Sequence, residues 1–423
     1  MTLADTVLPL VRNRSALHRW SAANSYGYDV HEAARLLREA AATEPAGEVL
    51  AVTQKAIASA CKGIMRADDS SGIIGGAIRD LLALHAELAR TASPPWRKLV
   101  DWLIRFQFAN DCDFFEIDPV AYGPALGEQG LAAYRAKLDE IRAGLGPEPT
   151  PEEERALWGT SGADHVAWER AAEERHQRFV LGWNDRRLAV SDRDVEAIIA
   201  THARDRRVAA WFEDTAEALA EIGQIDLAID WARQATYFGL GHQSVKAAGY
   251  WCALLAEHRP DEELPARLEV FRRWPTSTHA GGLRRASGAE WPDYREEVMA
   301  TLERSPREAV SFALHGLDDA ALAWRLAHEL DLDEVGLWGE VVTRYEKVDP
   351  LAVLPIHADL ARGDLERADA RAYKSAARRL ARMRKLAAGS AQAEDVDELV
   401  AELRETHRRR PRLQQEFTRA GLP

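Results

Sequence analysis

The sequence is poor in cysteine, with only Cys61, Cys112 and Cys252 among 423 residues. No two of them have the C-x-x-C spacing, and their number is odd, which argues against a disulfide framework and a zinc finger. No stretch approaches the 18 uninterrupted apolar residues of a membrane-spanning helix. The amino terminus also lacks the basic start and long apolar centre of a signal peptide. We therefore expect reduced thiols, no membrane contact and a cytoplasmic location.

Glycine and proline are not enriched, with 27 and 18 residues, which excludes a collagen-like or low-complexity chain. Hydrophobic residues make up 46% of the chain, too many for a disordered protein. Asp and Glu number 68 against 55 Lys and Arg, a net charge of −13. This balance excludes a uniformly basic protein that coats nucleic acid, but it permits a local basic patch. The length fits about three domains of roughly 150 residues or one elongated repeat array.

Helical patterning is abundant. Within residues 48–65, 74–88 and 96–106, apolar residues recur at three- and four-residue steps, which places them on one face of three consecutive helices. The alternation of β-branched residues that is typical of strands is nearly absent. Further helical patterns follow to the carboxyl terminus. We predict an all-α fold, an α-α superhelix or tetratricopeptide-like helical repeat array.

One segment carries a repeat signature. Residues 216–235 place Gly223, Ala228 and Ala235 where a tetratricopeptide helix pair needs small residues, and Asp226 suits the N-cap of the second helix. Three tryptophans follow one another at intervals of 20 residues, which fits alternating helices with short turns. They are interpreted as core residues between stacked helices or as the lining of an aromatic groove. These tryptophans are Trp211, Trp231 and Trp251.

A segment rich in proline, glycine and acidic residues, 144–162, divides the chain. Such residues resist continuous helix, so we predict an N-terminal helical domain at 1–143, a linker at 144–162 and a C-terminal helical-repeat domain at 163–423. A long surface loop within one continuous array is the alternative.

Parts of the chain resemble a known family. The DDSSG stretch at 68–72 and the AYKSAARRL stretch at 372–380 are similar to the helical region that follows SWIM zinc fingers in bacterial proteins. The resemblance implies helical repeats and no particular activity. The finger itself, C-x-C followed by C-x-H, is absent, so its zinc and its proposed nucleic-acid role do not carry over. The similar segments are Lys55–His85, Phe114–Arg135, Asp349–Leu386 and Thr406–Phe417.

Two acidic stretches are candidate metal sites. Asp68 and Asp69 could bind Mg²⁺ or act in acid–base chemistry. The alternative is that a neighbouring serine caps the next helix, with both aspartates near its positive end. The second stretch contains Asp111, Asp113, Glu116 and Asp118, but it lacks the Gly and Glu that an EF-hand needs at its sixth and twelfth positions. We interpret it as a solvated loop and predict no cofactor.

The strongest charge feature is basic and lies near the carboxyl terminus. Seven Lys and Arg and no acidic residue occupy 371–388. Their spacing places five of them on one side of a helix, where they could bind the phosphates of nucleic acid. These five are Arg371, Lys374, Arg378, Arg382 and Lys385. The alternative is a solvated face that pairs with acidic parts of the chain or with a partner protein. The candidate residues are Arg371, Lys374, Arg378, Arg379, Arg382, Lys385, Arg408, Arg409 and Arg410.

Signals for catalysis are weak. The sequence contains no H-E-x-x-H, G-x-S-x-G or Walker motif. His85 lies on an apolar helix face and is interpreted as a partly buried, hydrogen-bonded residue rather than a ligand, and Cys61 as an unreactive buried thiol. The leading hypothesis is a non-enzymatic scaffold that binds a protein or peptide on its stacked helices. The alternatives are nucleic-acid binding through the basic helices and a metal-dependent hydrolase that uses Asp68 and Asp69.

Overall fold

The computed structural model describes residues 2–13, 16–109, 112, 114–150, 152–153, 155, 165–367 and 369–423. Over these residues the regular secondary structure is helical, and the only β-type pairing is a single bridge between Leu17 and Ala67. The predicted all-α fold is confirmed. By their contacts, the residues form two compact units, Met1–Trp231 and Ala232–Pro423.

In the first unit, most helices pack against the ones that follow them. α1 lies on α2 and α3, these two lie on α4, and α5, α6 and α7 pack in succession. Their buried faces form one continuous apolar core. The helices are α1 (Leu3–Val11), α2 (Trp20–Ala40), α3 (Ala46–Ile64), α4 (Ile73–Ala92), α5 (Trp96–Phe108), α6 (Pro119–Gly144), α7 (His165–Asp192), α8 (Val195–His202) and α9 (Ala209–Glu221).

Two glycines allow α2, α3 and α4 to approach closely. A Cβ at Gly27 would overlap the side chain of Ile73, and a Cβ at Gly63 would overlap the ring and hydroxyl of Tyr26. Tyr26 is fully buried, and its hydroxyl donates a 2.8 Å hydrogen bond to the carbonyl of Val11. The ring therefore has no room to move away from an added side chain.

We expect Gly63→Ala to lower the free energy of unfolding by about 1–3 kcal/mol, because it overpacks a rigid contact with Tyr26. Gly76→Ala is the matched control, since a Cβ there meets nothing within 4 Å and Gly76 lies inside α4. The control should raise stability by about 0.5–1 kcal/mol through helix propensity. Urea denaturation measures both, and a stabilised Gly63→Ala variant would contradict the packing argument.

The second unit continues the same arrangement. Successive helices pack in pairs, and α21 also lies on α19. A π-helical turn, Phe312–Gly316, extends α15, and a 3₁₀ turn, Thr236–Phe238, precedes α11. The helices are α11 (His242–His258), α12 (Pro260–Arg273), α13 (Ser277–Ser287), α14 (Trp291–Leu302), α15 (Pro306–Ser311), α16 (Ala320–Glu329), α17 (Val335–Tyr345), α18 (Leu354–Arg367), α19 (Ala370–Ala387), α20 (Ala393–Thr406) and α21 (Pro411–Arg419).

The compact units do not coincide with the predicted domains. α7 follows the predicted linker 144–162, part of which lies outside the described residues, and it folds back onto α6. Arg142 of α6 binds Asp185 of α7 at 2.6 Å, and Arg135 binds Asp192 at 2.7 Å. The start of the segment predicted as domain 163–423 is therefore part of the first unit.

The repeat signature surrounds α10 (Ile225–Ala235), within which the division between the units falls. Gly223 has φ of +82°, a left-handed conformation that suits glycine and ends α9. Ala228 and Ala235 are fully buried, as small residues in a tight helix contact should be. α10 begins one residue before Asp226, so Asp226 lies in its first turn and is not its N-cap. Trp231 and Trp251 are buried, which favours the core interpretation for these two.

Candidate functional site

The loop that contains Asp68 and Asp69 joins α3 to α4. The carboxylate of Asp69 accepts a hydrogen bond from the Ile74 amide and another from the Gly75 amide, both at 2.9 Å. Asp68 accepts a 3.3 Å hydrogen bond from the Ser70 amide. Asp69 therefore caps α4, in the role that the sequence analysis gave to a neighbouring serine, and its charge lies at the positive end of the helix.

In the second acidic stretch, Asp111 and Asp113 lie outside the described residues. Its last acidic residue, Asp118, has a structural role. Asp118 caps α6 and receives two hydrogen bonds, at 2.9 and 2.8 Å, from Arg187 of α7. Arg187 also binds Glu221 at 2.8 Å, so one guanidinium joins two carboxylates. Among the residues that the structure describes, no group of three or more His, Cys, Asp or Glu could hold a metal ion.

His85 lies at the centre of a polar contact between helices and is fully buried, deeper than the partly buried, hydrogen-bonded position that its sequence context predicted. Its Nε2 lies 3.0 Å from Nε2 of the Gln54 side chain, and its Nδ1 lies 2.9 Å from the hydroxyl of Tyr122. The ring also stacks on Trp102 with 3.9 Å between centroids. Burial lowers the pKa of His85 to about 3, so the imidazole is neutral at physiological pH.

The predicted basic residues separate into two groups, and one group points inward. Arg379 binds Asp364 of α18 at 3.3 Å, and Arg382 binds Glu346, just beyond α17, at 3.0 and 2.6 Å. Hydrogen bonding to Glu346 raises the pKa of Arg382. Arg410 donates a 2.7 Å hydrogen bond to a main-chain carbonyl, that of Leu365. These arginines hold the carboxyl-terminal helices together.

The other group points outward from α19. All members are exposed, and none forms an ion pair with a residue that the structure describes. They lie opposite the buried face, where Tyr373, Leu380 and Met383 contact the core. We call the group the basic stripe, and its members are Arg371, Lys374, Arg378 and Lys385. Of the remaining candidates, Arg408 lies in the turn after α20 and pairs with Glu405, and Arg409 is exposed.

The sequence analysis missed an exposed apolar segment between α10 and α11, which we call the apolar knob, residues 237–240. Tyr237, Phe238 and Leu240 are 49%, 42% and 69% exposed. The signal was present as three large apolar residues around a glycine where helical periodicity breaks. Isolated exposed apolar residues are ordinary, but a cluster of them marks an interaction surface.

Residues of α12 and Trp274, which follows it, hold the apolar knob in place. The hydroxyl of Tyr237 donates a 2.6 Å hydrogen bond to Glu269, and Arg273 stacks 5.5 Å above the same ring. The indole nitrogen of Trp274 donates to the carbonyl of Leu240 at 3.2 Å. The backbone of the segment is thus anchored while its apolar side chains reach solvent.

The chain is therefore an all-α protein of successive packed helices, and no helix in its described part is long and apolar enough to cross a membrane. It belongs to a family of unknown function, DUF6880, whose model matches residues 6–413. None of the curated proteins compared with the chain matches it.

Proposed function

We propose that the protein is a non-enzymatic interaction scaffold that docks another protein through the apolar knob. The observation that carries this proposal is that Leu240 is 69% exposed although its carbonyl is tied to Trp274. Protein interfaces are centred on large apolar anchors that fill a pocket of the partner. A non-enzymatic role is also supported by Asp69, one of the two candidate catalytic residues, because its carboxylate caps a helix.

The anchoring of the knob favours binding energetically. Ordering a flexible loop at an interface costs about 0.5–1.5 kcal/mol for each side chain that is immobilised. Here Glu269, Arg273 and Trp274 already hold the segment in one conformation. The charged groups beside the apolar side chains would form the polar rim that such interfaces have. The partner should therefore present an apolar cleft with polar edges.

The test is Leu240→Asp in the full chain, purified with its partners from the source cell. We expect the variant to lose a stoichiometric partner, with affinity at least about 30-fold weaker, because a charge would enter an apolar pocket. Val348→Asp is the matched control, since Val348 is also exposed, at 58%, in the same unit. Equal recovery of the partner by both variants, or no stoichiometric partner with the unchanged chain, would contradict the proposal.

We also propose that the scaffold acts in the cytoplasm. The three cysteines are buried and form no disulfide bond, which suits a reducing compartment. The likeness to tetratricopeptide repeats and to the region after SWIM fingers stays a prediction about ancestry and supports the scaffold role by analogy only.

A further inference from the structure

The carboxyl-terminal region differs in charge from the rest of the chain. Residues 354–423 contain fifteen Lys and Arg against eleven Asp and Glu, whereas the whole chain carries a net charge of −13. A basic region in an otherwise acidic protein directs polyanions to one place and keeps them from the remaining surface. The position of these charges in the fold decides whether they form a binding surface.

The four side chains of the basic stripe project along a straight line. At 3.6 residues per turn, positions 371, 374, 378 and 385 fall within an arc of about 60° on α19. At 1.5 Å per residue they extend over about 21 Å. The opposite face of the helix is buried against α18, α20 and α21, so the line of charges is held on a rigid support.

Two of the neighbouring acidic groups are already paired. Asp364 is 3% exposed and pairs with Arg367 and Arg379, and Glu346 pairs with Arg382. The inward arginines thus occupy these two carboxylates, whereas the exposed Asp369, the N-cap of α19, interacts with Arg371. The charges of Arg371, Lys374, Arg378 and Lys385 remain available to an external anion.

A second basic element lies at the amino-terminal end of the stripe. The hydrogen bond from Arg410 to Leu365 brings the turn between α20 and α21 to the end of α18, near the start of α19. This turn carries Arg408 and the exposed Arg409. Because Arg408 is paired with Glu405, the turn adds one further exposed cation, Arg409, near the start of α19.

The chemistry of the stripe identifies the occupant. Its side chains are all Lys or Arg, without the apolar anchors that form the centre of a protein interface. Tyr373, the one aromatic residue of α19, is buried, so no ring on this helix offers a platform for the unstacked bases of a single strand. Duplex nucleic acid carries one negative charge for every 1.7 Å of its axis and is bound through its phosphates by such cations.

We propose that the basic stripe binds the phosphate backbone of duplex nucleic acid without sequence preference. Binding at the stripe is separate from docking at the apolar knob, and the protein would bring a protein partner to nucleic acid. Four phosphate contacts give a slope of about −3.6 for the logarithm of the binding constant against the logarithm of salt concentration.

The experiment is fluorescence anisotropy of the full chain with a 20-base-pair DNA duplex of mixed sequence between 50 and 200 mM salt. We expect binding with the stated slope and no difference between two unrelated duplex sequences. Lys374→Glu together with Arg378→Glu should weaken binding at least about tenfold and reduce the size of the slope by about 1.8. Arg371→Glu together with Lys385→Glu should weaken binding in the same way. Because the two double variants change different residues, a folding defect in one of them would not explain the same loss in both.

The control is Arg325→Glu together with Arg362→Glu. These arginines are exposed in the same unit but pair with Glu329 and Asp359 on their own helices. The control and Leu240→Asp should bind the duplex as the unchanged chain does. No binding at 50 mM salt, an equal loss in the control, or preferential binding of polyglutamate over the duplex would overturn the proposal, and the last result would assign the stripe to an acidic protein.

Discussion

Replacing Asn184 with aspartate should lower the free energy of unfolding of the first unit by about 3–5 kcal/mol, because the change puts a charge into a fully satisfied buried network. Asn184 is fully buried on α7 and accepts a 2.6 Å hydrogen bond from the hydroxyl of Tyr134. Its amide nitrogen donates to the side-chain oxygen of Gln107 at 3.0 Å and to the carbonyl of Val180 at 2.9 Å. A carboxylate cannot donate, so three oxygens would face one another in the core.

The dependence of this effect on pH separates it from a general packing defect. The introduced carboxyl would have a raised pKa because of its burial, and its protonated form can donate one hydrogen bond. The decrease in the free energy of unfolding, relative to the unchanged chain, should therefore become smaller as pH falls. Gln392→Glu, an amide-to-carboxylate change at an exposed position, is the control and should stay within about 0.5 kcal/mol. Urea denaturation at pH 7 measures both variants. If Asn184→Asp lowers the free energy of unfolding by less than about 1 kcal/mol, the claim that a buried hydrogen-bond network stabilises the unit is wrong.

The protein should lose stability steeply as pH falls below about 6.5, because three histidines are buried in neutral form. Burial is the main cause in each case, and it lowers the pKa of His85 to about 3 and those of His202 and His357 to about 4. Neighbouring arginines lower the pKa of His202 and His357 further, whereas a hydrogen bond to the Ile198 carbonyl opposes the shift in His202.

The sign of the effect follows from proton binding. In the unfolded chain these imidazoles take up protons near pH 6.5, but in the folded chain they stay neutral until pH 3–4. The unfolded state therefore binds more protons in this window. The stability that these groups contribute is complete above pH 6.5 and falls by up to about 1.4 kcal/mol per pH unit for each histidine.

Nuclear magnetic resonance titration of the imidazole carbons tests this prediction directly. The signals of His85, His202 and His357 should not move between pH 7 and 5, while thermal denaturation over the same range should show a falling midpoint. Titration of His85 near pH 6.5 in the folded protein would refute the assignment. A midpoint that does not change between pH 7 and 5 would show that these groups do not govern acid stability.

The sequence predicted the helices well where local periodicity is strong. The stripes in 48–65, 74–88 and 96–106 correspond to α3, α4 and α5, and Val49, Ala56 and Ile57 are buried as the pattern required. The spacing of apolar residues decides which face of a helix avoids water, so this information is local. The capping residue of α4 was less predictable, because Asp69 is followed directly by two serines. Only the turn at Gly72 decides that Asp69 accepts hydrogen bonds from the amides at the start of the helix.

The basic helix shows where local reasoning stops. Five residues of α19, Arg371, Lys374, Arg378, Arg382 and Lys385, were placed on one side by their spacing. Four of them form the basic stripe, but Arg382 turns toward Glu346. The two residues are 36 positions apart, and their meeting depends on how the neighbouring helices pack. A cation at the edge of a helix face can point to solvent or to a carboxylate, and the helical period alone does not distinguish the two.

By itself, the sequence determined that this protein is all-α and which faces of its helices are buried, because both follow from the spacing of residues within one helix. Only the tertiary structure decided which charges are paired and which apolar side chains reach solvent. Tyr237 meets Glu269, and Arg379 meets Asp364, through helix packing that brings distant residues together. The two candidate binding surfaces depend on such contacts, since each consists of side chains that the packing leaves exposed.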